Sequence, residues 1–369
     1  MSSASASLRA AVLIRWAAML LILLWTLPPV SSAQTPPDSA VTETSWYAFP
    51  TLFYTPETSV GGGAAGGFVA PLSGSVPSSL QGDLSATLRS QYQFNLDADL
   101  YLGEGRWRVL GDVSLSSFPD VFYGIGPQAR SAMEEEYTSR FADASVQAER
   151  RIASLARVGV RMRLRTEAIT SVEEGQLLDT AAVPGHSGGR AAGIGLVVTR
   201  DTRDRLFFPL RGHYLTVYGV AHGPALGSDY TFTRGVLDAR AFVPLGRKHV
   251  LALQGYADVM SGTAPFTMLP ELGGMLRMRG YREGRFRDDV MLTAQAEWRF
   301  PLVWRFDGAL FGSVGAVSDR LGTWGAGGVE RAAGVGLRFR MNDAGVHLRL
   351  DYAVGRGTSG FYATAAQPF

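Results

Sequence analysis

Apolar and polar positions alternate with a period of two through most of the chain. In Val346-His347-Leu348-Arg349-Leu350-Asp351-Tyr352 the alternation is strict. Val290, Leu292, Ala294, Ala296, Trp298 and Phe300 interleave with Thr293, Gln295, Glu297 and Arg299. Val158, Val160, Met162 and Leu164 interleave with Arg157, Arg161, Arg163 and Arg165. From Ala86 to Leu102 the even positions are mostly apolar (Leu88, Tyr92, Phe94, Leu96, Leu100) and the odd ones mostly polar (Arg89, Gln91, Gln93, Asn95, Asp97, Asp99). A strand points successive side chains to opposite faces, so each segment has one oily and one polar face. Helical periodicity is nearly absent. Strands are expected at 46–54, 62–72, 84–102, 106–118, 135–149, 154–168, 191–200, 212–222, 229–243, 248–261, 289–301, 305–317, 329–341, 345–355 and 360–369. Turn-rich pieces such as Gly103-Glu104-Gly105, Pro244-Leu245-Gly246 and Asn342-Asp343-Ala344-Gly345 separate some of them, and longer loops at 171–190, 262–288 and 318–328 separate others.

Alternation fits a soluble barrel with its apolar face inward, or a membrane barrel with that face outward. Many segments are long enough to cross a bilayer at a tilt, and the polar faces carry Arg, Asp and Glu on neighbouring strands. Hydrocarbon demands a closed sheet with every backbone group paired. Short turns at one end and long loops at the other are the habit of outer-membrane barrels. The fold expected is therefore all-β, a transmembrane antiparallel β-barrel. The segments above number fifteen, whereas single-chain bacterial barrels have even counts. Either 46–54 is not a full wall strand or one strand is missing; sixteen is the expectation, with fourteen as the alternative.

The amino terminus sets the compartment. Arg9 and Arg15 precede an apolar run from Trp16 to Leu27, followed by Pro28, Pro29, Ser31, Ser32 and Ala33. The run is short for a transmembrane helix, and the three-part pattern is that of a cleaved signal peptide. The expected organisation is a signal peptide at 1–33, a short periplasmic tail at 34–45 and an outer-membrane barrel at 46–369, in a diderm bacterium. With no Cys, disulfides and thiolate metal sites are excluded. A formal charge of +2 gives no pull toward nucleic acid. The 44 Gly and the 11% aromatic content suit short alternating strands of a barrel.

Several segments resemble the bacterial surface antigen family, the carboxy-terminal barrel shared by BamA/TamA-type assembly and translocation proteins. The most specific is Gly273-Gly274-Met275-Leu276-Arg277-Met278-Arg279-Gly280-Tyr281, similar to the family's Arg-Gly-Phe/Tyr loop motif. Gln295-Ala296-Glu297-Trp298-Arg299-Phe300-Pro301-Leu302 resembles the strand that follows the loop. Asp201-Thr202-Arg203-Asp204 with Pro209 and Gly212, the stretch 118–126 and the terminal Phe369 also match in the expected order. The resemblance implies that Arg279 reaches into the lumen from a long extracellular loop to meet acidic wall side chains. Gly280 would make the turn, Tyr281 would pack beside it, and Glu297 is the expected wall partner. Where the family carries Phe-x-Asp-x-Gly, this chain reads Phe311-Gly312-Ser313-Val314-Gly315. Ser313 supplies no charge, which leaves Arg279 on Glu297 alone. Phe369 is the expected recognition end for the host's barrel-assembly machinery. The stretch from Ala33 to Trp46 holds no POTRA domain, so a barrel-only relative is expected. Implied functions are outer-membrane protein assembly or translocation, the alternative being a passive pore or structural surface barrel. Outer-membrane lipid is the expected surrounding, and no substrate protein is indicated.

Other motifs carry little. Gly185-His186-Ser187-Gly188-Gly189 matches a hydrolase elbow, but that motif needs a strand entering and a helix leaving, so no enzyme is expected. Gly61-x-Gly63-x-x-Gly66 lacks a βαβ unit. His186, His213, His222, His249 and His347 show no metal-ligand spacing, and no cofactor is expected. The row Arg157, Arg161, Arg163 and Arg165 is either an anion-selective strip or, preferably, paired with acids such as Asp143 and Glu149. Trp107, Trp298, Trp304, Tyr214 and Tyr352 suit interfacial girdles or plain strand packing.

Overall fold

The computed structural model describes residues 44–364, apart from 56–58, 74–75, 128, 130–133, 181–182, 206–207, 247, 323–327 and 342–346. The expected signal segment, the tail up to residue 43, the turn at 342–345 and Phe369 lie outside the described residues.

Sixteen strands form one antiparallel sheet in chain order: β1 (Ser45–Thr55), β2 (Ser59–Ala70), β3 (Ser78–Thr87), β4 (Tyr92–Leu102), β5 (Trp107–Phe122), β6 (Glu135–Arg151), β7 (Ala156–Val172), β8 (Gly188–Asp201), β9 (Gly212–His222), β10 (Thr231–Pro244), β11 (Val250–Thr263), β14 (Val290–Pro301), β15 (Phe306–Ser318), β16 (Glu330–Arg340), β17 (His347–Gly355) and β18 (Thr358–Thr364). Between β11 and β14, the short strands β12 (Glu271–Leu272) and β13 (Phe286–Arg287) pair as a separate two-stranded ladder. Every connection is to the neighbouring strand, so local contacts alone set the topology. No ladder joins β1 to β18 among the described residues.

The strand absent from the sequence reading is one half of 84–102. That segment is two strands, β3 and β4, split by a turn at 88–91. The Thr87 hydroxyl accepts the Arg89 N–H at 3.2 Å, and Ser90 sits at φ 62. The turn preserves even spacing, so outward Leu88 and Tyr92 stay in phase and the alternation reads straight through it. Residues 46–54 fall within a full wall strand, β1.

The alternation sorts the two faces as expected. Leu84, Val146, Val160, Met162, Leu196, Val335 and Val354 are exposed on the outside. Asp143, Gln147, Glu149, Asp238, Gln254, Glu297, Arg338, Arg349 and Asp351 are buried on the inside. Curling of the sheet follows from the contacts of one loop. Adjacent Tyr281 and Arg282 reach Glu330 on β16 and Asp120 on β5. In a flat sheet those strands would stand roughly 40 Å apart, at about 4.8 Å per strand. The chain is thus a transmembrane β-barrel, with its oily face toward lipid and its polar face toward the lumen.

Long connections (123–134, 173–187, 264–289, 319–329) gather at one end and mostly short ones (103–106, 152–155, 245–249, 302–305) at the other. At the long-loop end Phe266 packs edge-on against Phe122 and Tyr137, closing 264–289 over the lumen.

Candidate functional site

The loop between β11 and β14 folds inward. The β12–β13 ladder pinches its base, and a helical turn at Gly274–Arg277 leads to the tip. The Gly274 N–H donates to the Tyr281 carbonyl at 2.9 Å and closes the tip into a compact turn. Gly280 sits at φ 104, where an added Cβ would also lie 3.0 Å from the Val354 carbonyl carbon. Only glycine meets both demands. Its N–H donates to the Tyr362 hydroxyl at 2.9 Å. Tyr281 lies against Gly355, and its hydroxyl donates to Glu330 at 2.7 Å while accepting the Arg356 N–H at 2.9 Å.

This turn drives Arg279 into the wall formed by β14–β17. Its Nη1 lies 2.9 Å from Glu297 Oε2 and 2.6 Å from Asp351 Oδ2, and its guanidinium stacks 3.4 Å from the Phe311 ring centroid. Glu297 also accepts Arg299 Nε at 2.8 Å and Arg338 Nη2 at 3.1 Å. Asp351 also accepts Arg338 Nη1, and Arg349 Nε stands 3.4 Å from it. All six side chains are at most 1% exposed. Small inward residues make the room. A Cβ on Gly336 would strike Asp351 and Arg338, and one on Gly334 would strike Phe311.

The pairing of Arg279 with Glu297 alone was therefore incomplete. Ser313, on β15, is not the second acid; Asp351, two strands further on, takes that place. The sequence reading also missed Arg299, Arg338 and Arg349 as members of the cluster. The signal was present: His347, Arg349 and Asp351 share one polar face, but alternation does not say which loop residue that face meets.

The cluster holds four guanidiniums against two carboxylates. Removing charges from water is costly, and their mutual attraction offsets this only with good geometry. Such a site fixes one loop position rather than adding bulk stability. Elsewhere in the loop, burial pushes the Glu271 carboxyl up to about 7, with Arg287 at 3.2 Å pulling the other way.

The β7 arginines are mostly paired. Arg163 binds Asp143 through two bonds, of 3.1 and 2.7 Å. Arg165 bridges Asp143 and Glu167. Arg161 bonds Gln147 and Ser145, and Arg157 donates to the Gly105 carbonyl. Glu149 is not a partner of this row: it lies 4.0 Å from Arg108 and accepts the Thr199 hydroxyl. Tyr214 does not belong to an outer girdle either, since it faces inward beneath Arg203 and Arg240. Trp107, Trp298, Trp304 and Tyr352 are exposed outward. Ser187 ends a turn leading into strand β8, with no helix leaving it. Gly63 lies on β2, where a Cβ would strike the Leu84 carbonyl. His222 stacks on Phe232 and His347 on Phe208.

A family profile described as the Omp85 superfamily domain matches residues 77–369. None of the curated protein sequences matches the chain. Among solved structures, BamA from Haemophilus ducreyi lacking POTRA domains 1–3 superposes with a TM-score of 0.58 at 16% identity, covering 87% of this chain and 70% of that one. CdiB from Acinetobacter baumannii gives 0.57 at 13%, covering 86% of this chain and 59% of that one. CdiB from Escherichia coli gives 0.55 at 11%, covering 88% and 61%. The chain thus spans about three fifths of the two CdiB chains. At these identities the likeness speaks for the fold.

Proposed function

The chain belongs to the Omp85 superfamily, and on that footing we propose that it is an outer-membrane barrel of a diderm bacterium that acts on protein cargo, in barrel assembly or in translocation, and not as an enzyme. The observation that carries this reading is the seating of one compact tip, Arg279-Gly280-Tyr281, in the lumen wall through buried charge. A loop held in the lumen by buried ion pairs fills part of the channel, which suits a gated path for a chain better than an open pore. A barrel that must pass or hand over a chain needs a lumenal element with one defined position. Lipid forms its surroundings, and the host's barrel-assembly machinery inserts it. Depletion followed by profiling of outer-membrane and secreted proteins tests the reading. Loss of a defined set of proteins is expected; an unchanged profile contradicts it.

One observation favours the pore as a second reading. The inner face of β3–β4 is solvated, with Asp83, Gln93 and Asp97 exposed, while the β7 arginines are largely neutralised. A pore lined in this way favours cations. Steady conductance with a cation-selective reversal potential in planar bilayers supports it, and a silent barrel removes it.

A further inference from the structure

Arg349 is out of place in an otherwise bonded cluster. It lies on β17, directly opposite Arg338 on β16, so two like charges face each other across the ladder. Arg338 holds both carboxylates, through Nη1 to Asp351 and Nη2 to Glu297. Arg349 is 0% exposed, and neither of its terminal nitrogens has a hydrogen-bonding partner among the described residues. Its one carboxylate contact is a long one, 3.4 Å from Nε to Asp351 Oδ2. That same oxygen takes Arg279 Nη1 at 2.6 Å. A guanidinium of the wall and a guanidinium of the loop therefore meet at one carboxylate oxygen, and the loop holds the better geometry.

We propose that Arg349 is a built-in competitor for Asp351, which takes over this carboxylate when Arg279 withdraws and so keeps the loop releasable. Burying a guanidinium without full pairing is costly, so Arg349 penalises the docked state. Once Arg279 leaves, Asp351 Oδ2 is open to the neighbouring guanidinium, whose planar fork suits a carboxylate. The wall then retains three arginines against the same two carboxylates. Arg349 thereby raises the energy of the seated loop and lowers that of the free one. It is a positioning residue, acting on the loop through Asp351. This inference needs no particular cargo and stands or falls apart from the assembly role.

The chain has no native Cys, which makes a single introduced thiol a clean reporter. Met278, beside Arg279 in the loop tip, is 0% exposed, so a thiol there reacts with a maleimide only when the tip leaves the wall. Met278→Cys is placed in the full chain, refolded in lipid vesicles, and labelling rates are compared at one pH. Arg349→Met should slow labelling by about tenfold, the scale of one charge-assisted hydrogen bond. Arg349→Lys should return the rate toward that of the parent, because the competing charge is restored. A purely packing role would move the Met and Lys variants together, and that outcome overturns the proposal. So does an Arg349→Met rate equal to or above the parent's. Arg349→Gln is read in the same way should the Met variant not fold. If neither neutral variant reaches the heat-modifiable folded form, Arg349 supports the seated state and the idea fails.

Discussion

Arg279 gives one nitrogen to two carboxylates from strands far apart in sequence, Glu297 on β14 and Asp351 on β17. Removing Arg279 takes away the loop tip's bonds to both carboxylates, and Arg349 is placed to offset that loss only at Asp351. Arg279→Ala should weaken loop seating by about 3–5 kcal/mol, and Arg279→Lys by less, since charge remains but the fork is lost. The temperature at which the folded barrel loses its compact mobility on a gel reads this directly. Exchanging the charges of Arg279 and Glu297 should not rescue either single variant. The new arginine would stand among Arg299 and Arg338, and the new glutamate beside Asp351. Full rescue by that double variant would contradict the shared network. At this scale the sequence showed Arg279 and Glu297 through a motif and a strand phase. It did not show Asp351, because register across three ladders decides which inward residue meets the loop, and alternation carries phase but not register.

The loop between β11 and β14 is the element on which the site depends, and two features of it can be tested. Gly280 at φ 104 against the β17 backbone leaves no room for a side chain. Gly280→Ala should unseat the tip at a cost of about 1–3 kcal/mol. Gly255→Ala, where a Cβ meets nothing within 4 Å, should change stability by no more than about 0.5 kcal/mol. Thermal shift of the gel mobility separates the two. The second feature is acidic. Glu271 is raised from the ordinary carboxyl range to about 7 by burial, so the seated loop favours its protonated form. Seating is then strongest below about pH 4.5 and weakens as the pH rises to about 7. Tryptic cleavage in the loop, taken as the ratio of native protein to Glu271→Gln, should rise between about pH 5.5 and about pH 8. A flat ratio would show that Glu271 does not report on seating. Element boundaries were mostly legible from alternation. The turn splitting β3 from β4 was not, because it inserts an even number of residues and carries no Gly or Pro. Ser90 takes φ 62 there without the residue that usually announces it.

At the scale of the whole molecule, sixteen strands turn an alternating sequence inside out relative to a soluble barrel. Leucine and valine meet lipid, while arginines and carboxylates pair in the lumen. This follows from the sequence, since strands long enough to cross a bilayer with charged inner faces close stably only in lipid. What alternation could not reveal is the unevenness of the lumen, filled by the loop along β14–β17 and solvated along β3–β4. Leu196→Arg, on the outer face of β8, should cost about 2–4 kcal/mol if it lies near the bilayer midplane. Urea titration of vesicle-embedded barrels measures it, and a neutral result would place that face outside the hydrocarbon.

The orientation of the two faces is tested most directly by a cysteine scan along β6 in vesicles, read by accessibility of an attached spin label to lipid-soluble oxygen and to a water-soluble nickel complex. Ala144, Val146 and Ala148 should favour oxygen, while Ser145 and Gln147, on the buried inner face, should not. A profile with the opposite phase, or one with no period of two, would contradict the account.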